Sequence, residues 1–579
     1  MMQYIYDPLE EYVNVFKDKF QDICKSTFSQ LATESAVDVE ENRQTCSDIE
    51  DAEAIIYKLK KRITRWRILC VALWLFFTSG VVLSISCFRE GGEGTGIGIG
   101  IAVICVLLIC LLLGVIHPRL KKLKGESNEM DIRRKSLIDN AYQQMEPLNR
   151  LYDWDIFTRM MKQTIPHLEF DPFFTTQRLE ELKAIYGWNE SFNEDRSVLF
   201  SHSGTINGNP FVICRTKKMI WGEKVYTGSL TIHWTESVRD SNGRYRVVHR
   251  SQVLTAEISR PYPEYHRKTR LIYGNTAAPD LTFYREQNSR MSTSKIGKWI
   301  KRAALRRKSR NLKDYDYAMM SNEDFEIAFD TSNRNNNQQF ALLFTPLAQN
   351  SIISILNDNE VGYGDDFDFE KSRMINIIIA DHMQDENMDM NPRQFRNYSF
   401  DKASEDFVRI NSDHFRAIYF AFAPLLSVPM YQQIRSEENI YGRDMKIESA
   451  YWEHEALANF WGIDRFRHPD CVTDCILKTE KISSQSTDSS DATIKVRAYG
   501  YRAEPRLTYV EKFGGDGRFH NVPVHWQEYL PVTGVGSFSI KEEHEPEEES
   551  TQTQRIKRIH NRLLQTGHTL YRHNIYSGV

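Results

Sequence analysis

The sequence lacks an excess of charge of either sign. Its 579 residues include 74 lysines and arginines and 78 aspartates and glutamates, so the net charge at pH 7 is −4. A chain this close to balance has no global attraction to nucleic acid. It also has only 9 cysteines, and they are scattered. A disulfide framework is therefore not expected, above all if the cysteines outside the apolar runs face a reducing cytoplasm.

The short motifs of common enzyme families are missing as well. The sequence has no glycine-rich phosphate loop ending in Lys-Ser or Lys-Thr, and it has no Gly-x-Ser-x-Gly elbow. His454-Glu455 matches the opening of a zinc-protease helix, but Ala458 stands where the second histidine is needed. We therefore predict no catalytic and no cofactor-binding residues, and we favour a non-enzymatic protein.

Two long apolar runs are the strongest positive signal, at residues 68–88 and 95–117. Each has about 20 residues, enough for a helix to cross a hydrocarbon core of roughly 30 Å. Backbone groups in lipid must be satisfied within the segment, so both runs are predicted to be membrane-spanning helices that form a hairpin. About 65 mostly polar residues precede the first run, so we interpret it as a span and not as a cleaved signal peptide.

The charges around the hairpin predict its orientation. Cations crowd both outer flanks, whereas the connecting turn carries only Arg89. The flanking cations are Lys58, Lys60, Lys61, Arg62, Arg65 and Arg67 before the first run and Arg119, Lys121, Lys122 and Lys124 after the second. The positive-inside rule predicts a multi-pass protein of the cell membrane with both termini in the cytoplasm. Gly96 and Gly100 have small-xxx-small spacing, which favours close packing within the hairpin or between the copies of a homo-oligomer.

The segments around the hairpin indicate helices. Asp7-Pro8 is a typical helix start, with a capping aspartate and proline at the first helical position. A helix from about Glu50 is predicted to lead into the first span. A partial heptad from Leu120 to Leu151 predicts a helical stalk with coiled-coil character, which packs antiparallel on that helix.

From about Asp171 onward, the residue pattern is typical of an α+β protein with antiparallel sheet. Clusters of β-branched and aromatic residues are punctuated by Asn207-Gly208, Trp221-Gly222 and Asn242-Gly243, which predict the turns of a meander. The predicted divisions are a cytoplasmic helical segment (1–66), a transmembrane hairpin (67–117), a helical stalk (118–165), an α+β domain (166–470), a β-rich subdomain (471–541) and an acidic, largely flexible tail (542–579).

Several elements of the α+β domain are predicted individually. Phe325 to Phe329 is predicted as a strand, and Thr345 is predicted to cap a helix that starts at Pro346. Residues 381–411 are polar and are predicted as a long surface excursion. Residues 417–430 are apolar but too short to span a membrane, so they are predicted as core. The aromatic residues around Trp452 and Trp461 are interpreted as core and not as a ligand site.

Four residues form a metal-like constellation: His454, His468, Cys471 and Cys475. The last three have ligand-like spacing, and zinc accepts both imidazole and thiolate. However, alternation at a strand entry would place both cysteines on one face without a metal, and paired Cys-x-x-Cys knuckles are absent. Core cysteines and capping histidines are the structural alternative. A zinc site, or a metal-dependent enzyme built on it, is our second hypothesis.

A basic amphipathic helix is predicted at residues 295–313, a stretch with 9 cations and no acid. Such a helix can lie on anionic lipid or follow the phosphates of a nucleic acid, and lipid is favoured for an anchored protein. A solvated face or a partner-binding helix is the alternative. The predicted anionic-surface residues are Lys295, Lys298, Lys301, Arg302, Arg306, Arg307, Lys308 and Arg310.

Several short segments carry a family resemblance. They are Thr345-Pro346-Leu347, Val428-Pro429-Met430-Tyr431-Gln432-Gln433, Glu455-Ala456-Leu457-Ala458-Asn459-Phe460, His468-Pro469 and Ile476-Leu477-Lys478. With the two-span start, the chain resembles two-transmembrane proteins of Firmicutes and mollicutes that have a cytoplasmic domain and no assigned function. The resemblance implies a bacterial membrane protein and offers no catalytic residues. Our leading hypothesis is a membrane-anchored scaffold or interaction protein with an unknown protein partner.

Overall fold

The computed structural model describes residues 5–90, 94–239, 244–287, 319–433, 448–482, 491–543 and 551–579. Helices and antiparallel sheets are mixed along the chain, which confirms the predicted α+β class. The helices are α1 (Pro8–Glu11, a π-helical turn at Tyr12–Phe16, then Lys17–Ser35), α2 (Val39–Glu90), α3 (Gly94–Leu111, a π-helical turn at Leu112–Ile116, then His117–Asn149), α4 (Ile156–Thr164), α5 (Thr176–Ala184), α6 (Glu323–Phe329), α7 (Asn337–Leu343), α8 (Pro346–Asn357), α9 (His382–Asp385), α10 (Phe400–Leu426), α11 (Tyr451–Trp461) and α12 (Gln552–Thr566).

The strands belong to two antiparallel sheets. They are β1 (Leu168–Phe170), β2 (Arg196–Ile206), β3 (Asn209–Arg239), β4 (Tyr245–Gly274), β5 (Thr282–Arg285), β6 (Phe367–Ser372), β7 (Ile375–Ala380), β8 (Ile476–Ile482), β9 (Asp491–Phe513), β10 (Phe519–Glu542), β11 (Leu570–Arg572) and β12 (Ile575–Gly578). One sheet has the order β1-β2-β3-β4-β7-β6-β5, and the other has the order β11-β12-β10-β9-β8. Helix α11 packs on both β2 and β8, so it joins the two sheets.

Helices α2 and α3 are both long and apolar enough to cross a membrane. The bent pair α7 and α8, at 75°, passes the same test of length and composition, but Phe340 and Ile352 of that pair are fully buried in the protein core. The soluble parts of α2 and α3 form the stalk. Arg134 Nη1 lies 3.0 Å from Glu53 Oε1, and Gln144 donates to Glu41 at 3.1 Å, so the two helices run antiparallel. Helix α2 begins at Val39, earlier than its predicted start near Glu50.

Strands β3 and β4 form an unusually long hairpin, paired from Phe211↔Tyr273 to Arg239↔Tyr245. The 31 residues of β3 correspond to about 100 Å at 3.3 Å per residue. The hairpin β9-β10 packs on it through a small apolar core that includes Ile232, Leu254 and Val522. We call the projecting part of the two hairpins, the described residues 219–239, 244–265 and 502–530, the arm. Gly228 sits at a close approach of the two hairpins, since a Cβ there would lie 2.1 Å from the Pro523 carbonyl oxygen.

The main core lies between α1, α10 and the seven-stranded sheet. Aromatic pairs fix α1 on α10, among them Phe20 stacked on Phe415 with ring centroids 4.1 Å apart. The apolar second half of α10 is buried, which confirms the prediction that residues 417–430 are core. The predicted caps are confirmed too, because Asp7 accepts from Leu9 N and Thr345 accepts from Ala348 N.

Two predicted elements were wrong because tertiary context outweighed local pattern. Phe325 to Phe329 is helical, since Asn322 caps the segment and Phe325 and Phe329 stack at helical spacing, 5.0 Å apart. Trp221-Gly222 is not a turn but lies inside β3, where Gly222 pairs with Tyr262.

Two segments predicted as irregular are ordered and packed. In residues 381–411, Met383, Met388 and Phe395 are buried, and α10 begins at Phe400, so the predicted surface excursion was wrong. The tail beyond residue 550, which was predicted to be largely flexible, has regular secondary structure. It forms α12 and the strands β11 and β12, which join the five-stranded sheet beside β10.

Candidate functional site

Cys471 and Cys475 lie side by side at the base of the arm. Their sulfur atoms are 3.6 Å apart, and both side chains are buried. Gly500 packs against them, since a Cβ there would lie 2.5 Å from Cys471 Sγ. Burial, together with the neighbouring Cys471, raises the pKa of the Cys475 thiol to about 12. Cys475 is therefore a protonated core thiol near neutral pH.

The two histidines of the predicted constellation have other partners. His454 is buried in α11 with Nε2 2.8 Å from Ser449 Oγ, and burial lowers its pKa to about 3. His468 is half-buried, and its Nδ1 accepts from Asp470 N at 3.2 Å. Within the described ranges, no group of three or more His, Cys, Asp or Glu side chains is placed to hold a metal. Zinc binding stays a prediction, which elemental analysis of the purified protein would test.

The predicted basic helix at residues 295–313 lies outside the described residues, in the gap between 287 and 319. Its proposed contacts with anionic lipid or nucleic acid therefore stay predictions.

A cleft of about 390 Å³ opens where the stalk meets the sheets. A pocket of this volume is of the size that proteins use for small ligands or a few side chains of a peptide. Five segments form its walls: residues 150–154 after the stalk, residues 391–396, the end of α11, helix α12 and residues 569–571. The lining residues used below are Arg150, Tyr152, Trp154, Arg393, Arg396, Phe460, Trp461 and His560.

The mouth of the cleft is basic. Arg150, Arg393, Arg396 and His560 all line it and are exposed to solvent. Arg150 pairs with Glu146 on its own helix. The guanidinium groups of Arg393 and Arg396 make no ion pair with any carboxylate in the described part of the chain. Two unoccupied guanidinium groups at one opening are suited to a carboxylate or a phosphate.

The inner walls of the cleft are aromatic. Trp154 and Phe460 meet edge to face with centroids 5.5 Å apart, and Trp461 lies beside them. The hydroxyl of Tyr152 and Nε1 of Trp461 are buried and have no hydrogen-bond partner among the described residues. Buried polar groups are normally paired, so both are available to a bound molecule. The cleft therefore combines an anion-binding mouth with an apolar interior that contains two hydrogen-bond donors.

Ion pairs hold helix α12 as one wall of the cleft. Arg555 Nε lies 2.6 Å from Asp153 Oδ2, and the same guanidinium pairs with Asp155. Burial by itself would raise the pKa of Asp155, but the nearby His573, whose Nδ1 lies 3.8 Å from Asp155 Oδ1, and the charges of Arg555 and Arg159 outweigh it. They lower this pKa to about 2. Asp155 therefore stays ionised near neutral pH and serves to fix the tail, not to exchange protons.

Three histidines surround a second, much smaller cavity on the other side of Trp154. It measures about 20 Å³ and is lined by His202, His414 and His573. Burial lowers the pKa of His202 well below its usual range, and the neighbouring His573 lowers it further. A space of this size holds about one water molecule, so it does not admit an organic ligand.

The sequence did not reveal the cleft. Trp452 is core, as interpreted, but Trp461 and Phe460, which follow on the same helix, line the cleft. A sequence signal did exist in the tail, where Thr551 caps α12 by accepting from Gln554 N, but the preceding acidic run obscured it.

Comparison of the chain with protein-family models, with curated proteins and with solved structures finds no match. The resemblance to two-transmembrane proteins of Firmicutes and mollicutes therefore stays a prediction.

Proposed function

We propose that this protein is a membrane-anchored interaction protein, not an enzyme, and that the cleft at the end of the stalk binds an acidic segment of a protein partner. The observation that carries the proposal is the lining of the cleft. Arg393 and Arg396 stand at the mouth with no carboxylate partner among the described residues, and Trp154, Phe460 and Trp461 form the interior. Carboxylates at the mouth and one bulky apolar side chain inside would satisfy both surfaces.

The position of the cleft favours a water-soluble partner over a lipid. From His117 to Asn149, helix α3 has 33 residues, or about 50 Å at 1.5 Å per residue. A lipid headgroup in the bilayer cannot reach across that distance. The cations that flank both spans support a cytoplasmic location for the cleft and for both termini. The stalk then acts as a spacer that presents the cleft to cytoplasmic proteins.

The carboxylates nearest the cleft also favour recognition over catalysis. Asp153 and Asp155 are held by Arg555, and Asp155 has a lowered pKa. A general acid or base needs a pKa near the working pH, which this arrangement opposes.

Fluorescence anisotropy would test the proposal with the full-length protein in neutral phosphatidylcholine nanodiscs. The probe is a fluorescein-labelled pentapeptide with one tryptophan between pairs of glutamates. We expect saturable, salt-sensitive binding that weakens at least tenfold when Arg393→Gln and Arg396→Gln are combined. Arg409→Gln, which removes an exposed arginine paired with Asp406 on α10, is the matched control and should change nothing.

Two results would contradict the proposal. One is the absence of saturable binding, or binding that the paired substitutions leave unchanged. The other is conversion of the peptide during incubation, detected by mass spectrometry and lost in the same double variant, because that would indicate an enzyme.

A further inference from the structure

The tip of the first hairpin projects beyond the rest of the arm. We define the tip as the described residues 235–239 and 244–250. The turn of the second hairpin ends earlier, where Gly515 N donates to Gln252 Oε1 at 2.7 Å. Most side chains of the described residues past this point, 235–239 and 244–250, are exposed.

Contacts along α10 show which way the hairpin runs. The stalk ends at the start of α10, where Asn149 Nδ2 donates to the Asn397 carbonyl at 3.0 Å. At the opposite end of α10, Phe422 packs on Phe211, near the beginning of β3, with centroids 5.1 Å apart. Two residues later, Ile213 shares a cavity lining with His414, which is closer to the start of α10. Strand β3 therefore advances from the far end of the body toward the stalk.

The contacts of helix α11 independently indicate the same direction for strand β3. Its Asn459 donates to Ser197 at 2.7 Å, and Ser197 pairs with Lys217 of β3. The next residue of the helix, Phe460, lines the cleft together with Arg150 at the end of the stalk. Lys217 is thus near the level of the stalk end, and the strand continues from there into the arm.

The arm is long enough to reach the bilayer. Residues 219–239 add about 70 Å at 3.3 Å per residue, whereas the soluble part of α3 spans about 50 Å. The arm can therefore be inclined to the stalk by about 45° and still bring its tip to the membrane surface.

The tip has the composition of a membrane-surface contact. Tyr245 is 75% exposed and Val247 is 63% exposed, and they lie on the same face of β4. Arg246 and Arg250 lie on the other face, where Arg250 Nε lies 3.3 Å from Glu236 Oε2, and Arg239 lies opposite Tyr245. Exposed aromatic and aliphatic side chains among arginines suit the interface of an anionic bilayer, where rings enter the headgroup layer and cations meet phosphates.

We propose that the tip binds the anionic surface of the same membrane that the two spans cross. Tyr245 and Val247 enter the interfacial layer, and the arginines contact lipid phosphates. The spans keep the bilayer permanently within reach, so even weak contacts are occupied at the high effective concentration that a tether provides. The soluble region is then held at two points, by the stalk and by the arm. This inference does not depend on the ligand of the cleft.

Limited trypsin digestion of the full-length protein in nanodiscs tests the proposal. One set of discs contains phosphatidylcholine only, and the other contains 30% phosphatidylglycerol. We expect cleavage after Arg239, Arg244 and Arg246 to be at least fivefold slower in the anionic discs. Cleavage after Arg518, in the turn of the second hairpin, serves as the internal control and should change less than twofold.

The combined substitutions Tyr245→Ser and Val247→Ser leave the cleavage sites intact and should abolish most of the protection. Both side chains are exposed, so an unchanged melting temperature checks that the variant is folded. Equal cleavage of the tip in both kinds of disc would overturn the proposal. Protection of the tip by an added oligonucleotide in neutral discs, without protection by anionic lipid, would overturn it in favour of nucleic acid.

Discussion

Lys371 permits a quantitative prediction about stability. It lies in β6 with 0% of its surface exposed, and its Nζ donates to the carbonyls of Ala277, at 3.1 Å, and Arg373. No carboxylate in the described part of the chain pairs with it. Burial lowers the pKa of this amine from 10.5 to about 7. The folded protein therefore holds the proton of Lys371 much less tightly than the unfolded chain does.

The direction in which stability changes with pH follows from proton linkage. Between about pH 7 and pH 10.5 the unfolded state binds more protons at this site, so the free energy of unfolding rises with pH. The slope is about 1.4 kcal/mol per pH unit, and the whole window is worth at most about 5 kcal/mol. Below about pH 7 both states are protonated and the dependence vanishes. From pH 6 to pH 9, Lys371 should add about 2.5 kcal/mol of stability.

The assay compares the wild type with Lys371→Met, because the groups that both proteins share cancel. At a single pH, the difference in stability between the two proteins also contains another contribution. Methionine leaves two carbonyls without a hydrogen-bond donor, which costs about 1–3 kcal/mol for each carbonyl. The change of that difference with pH isolates the amine. We expect the melting temperature of Lys371→Met relative to wild type to fall by about 3–5 °C from pH 6 to pH 9, taking roughly 1–2 °C per kcal/mol for a region of this size.

Lys402→Met, which removes an exposed lysine of α10, is the matched control and should give a difference independent of pH. The reasoning would be refuted if the Lys371→Met difference also stayed constant within 1 °C across the range (about the resolution of such a scan). Lys371 would then remain charged in the folded protein at pH 9.

Two further predictions concern the tail and the hairpin of spans. Arg555→Met should lower the free energy of unfolding by at most about 3–5 kcal/mol, because it removes the cation closest to Asp153 and Asp155 and leaves, among the described residues, only Arg159 and His573 near them; an unchanged melting temperature in detergent would contradict this. Gly80→Val should weaken packing between the spans, since a Cβ at Gly80 lies 2.7 Å from Cys105 Sγ, whereas Gly100→Val meets nothing within 4 Å. On heating, Gly80→Val should lose more helical content than Gly100→Val, and equal losses of helical content would argue against this packing.

The sequence predicted best those features that depend on local chemistry. The prediction of the spans follows from the absence of water in the bilayer, because an isolated segment there can satisfy its backbone hydrogen bonds only as a helix. The starts of α1 and α8 follow from side-chain caps at Asp7 and Thr345, which act within three residues. The prediction of a strand at Phe325 to Phe329 failed because an aromatic run suits either a strand or a buried helix. Only the stacking of these side chains in the core decides between the two.

The arm and the cleft depend on contacts between distant residues, which local patterns do not encode. Trp221-Gly222 has the composition of a turn, but pairing with β4 continues on both sides of it and keeps it extended. The cleft requires residues 150–154, 391–396 and 556–571 to converge. Each of these segments is unremarkable in isolation, so their meeting could be known only from the fold.

The tail connects the candidate site to the membrane anchor. Gln552 Nε2 donates to the Leu151 carbonyl at 2.8 Å, and Thr553 N donates to Glu34 at 2.9 Å, so α12 is attached to the ends of both α3 and α1. The same helix contributes His560 to the cleft. A ligand that moves α12 therefore acts directly on residues that continue into the stalk. Because the base of the arm lies at the same level of the body, occupancy of the cleft and contact of the arm with the bilayer share a structural support.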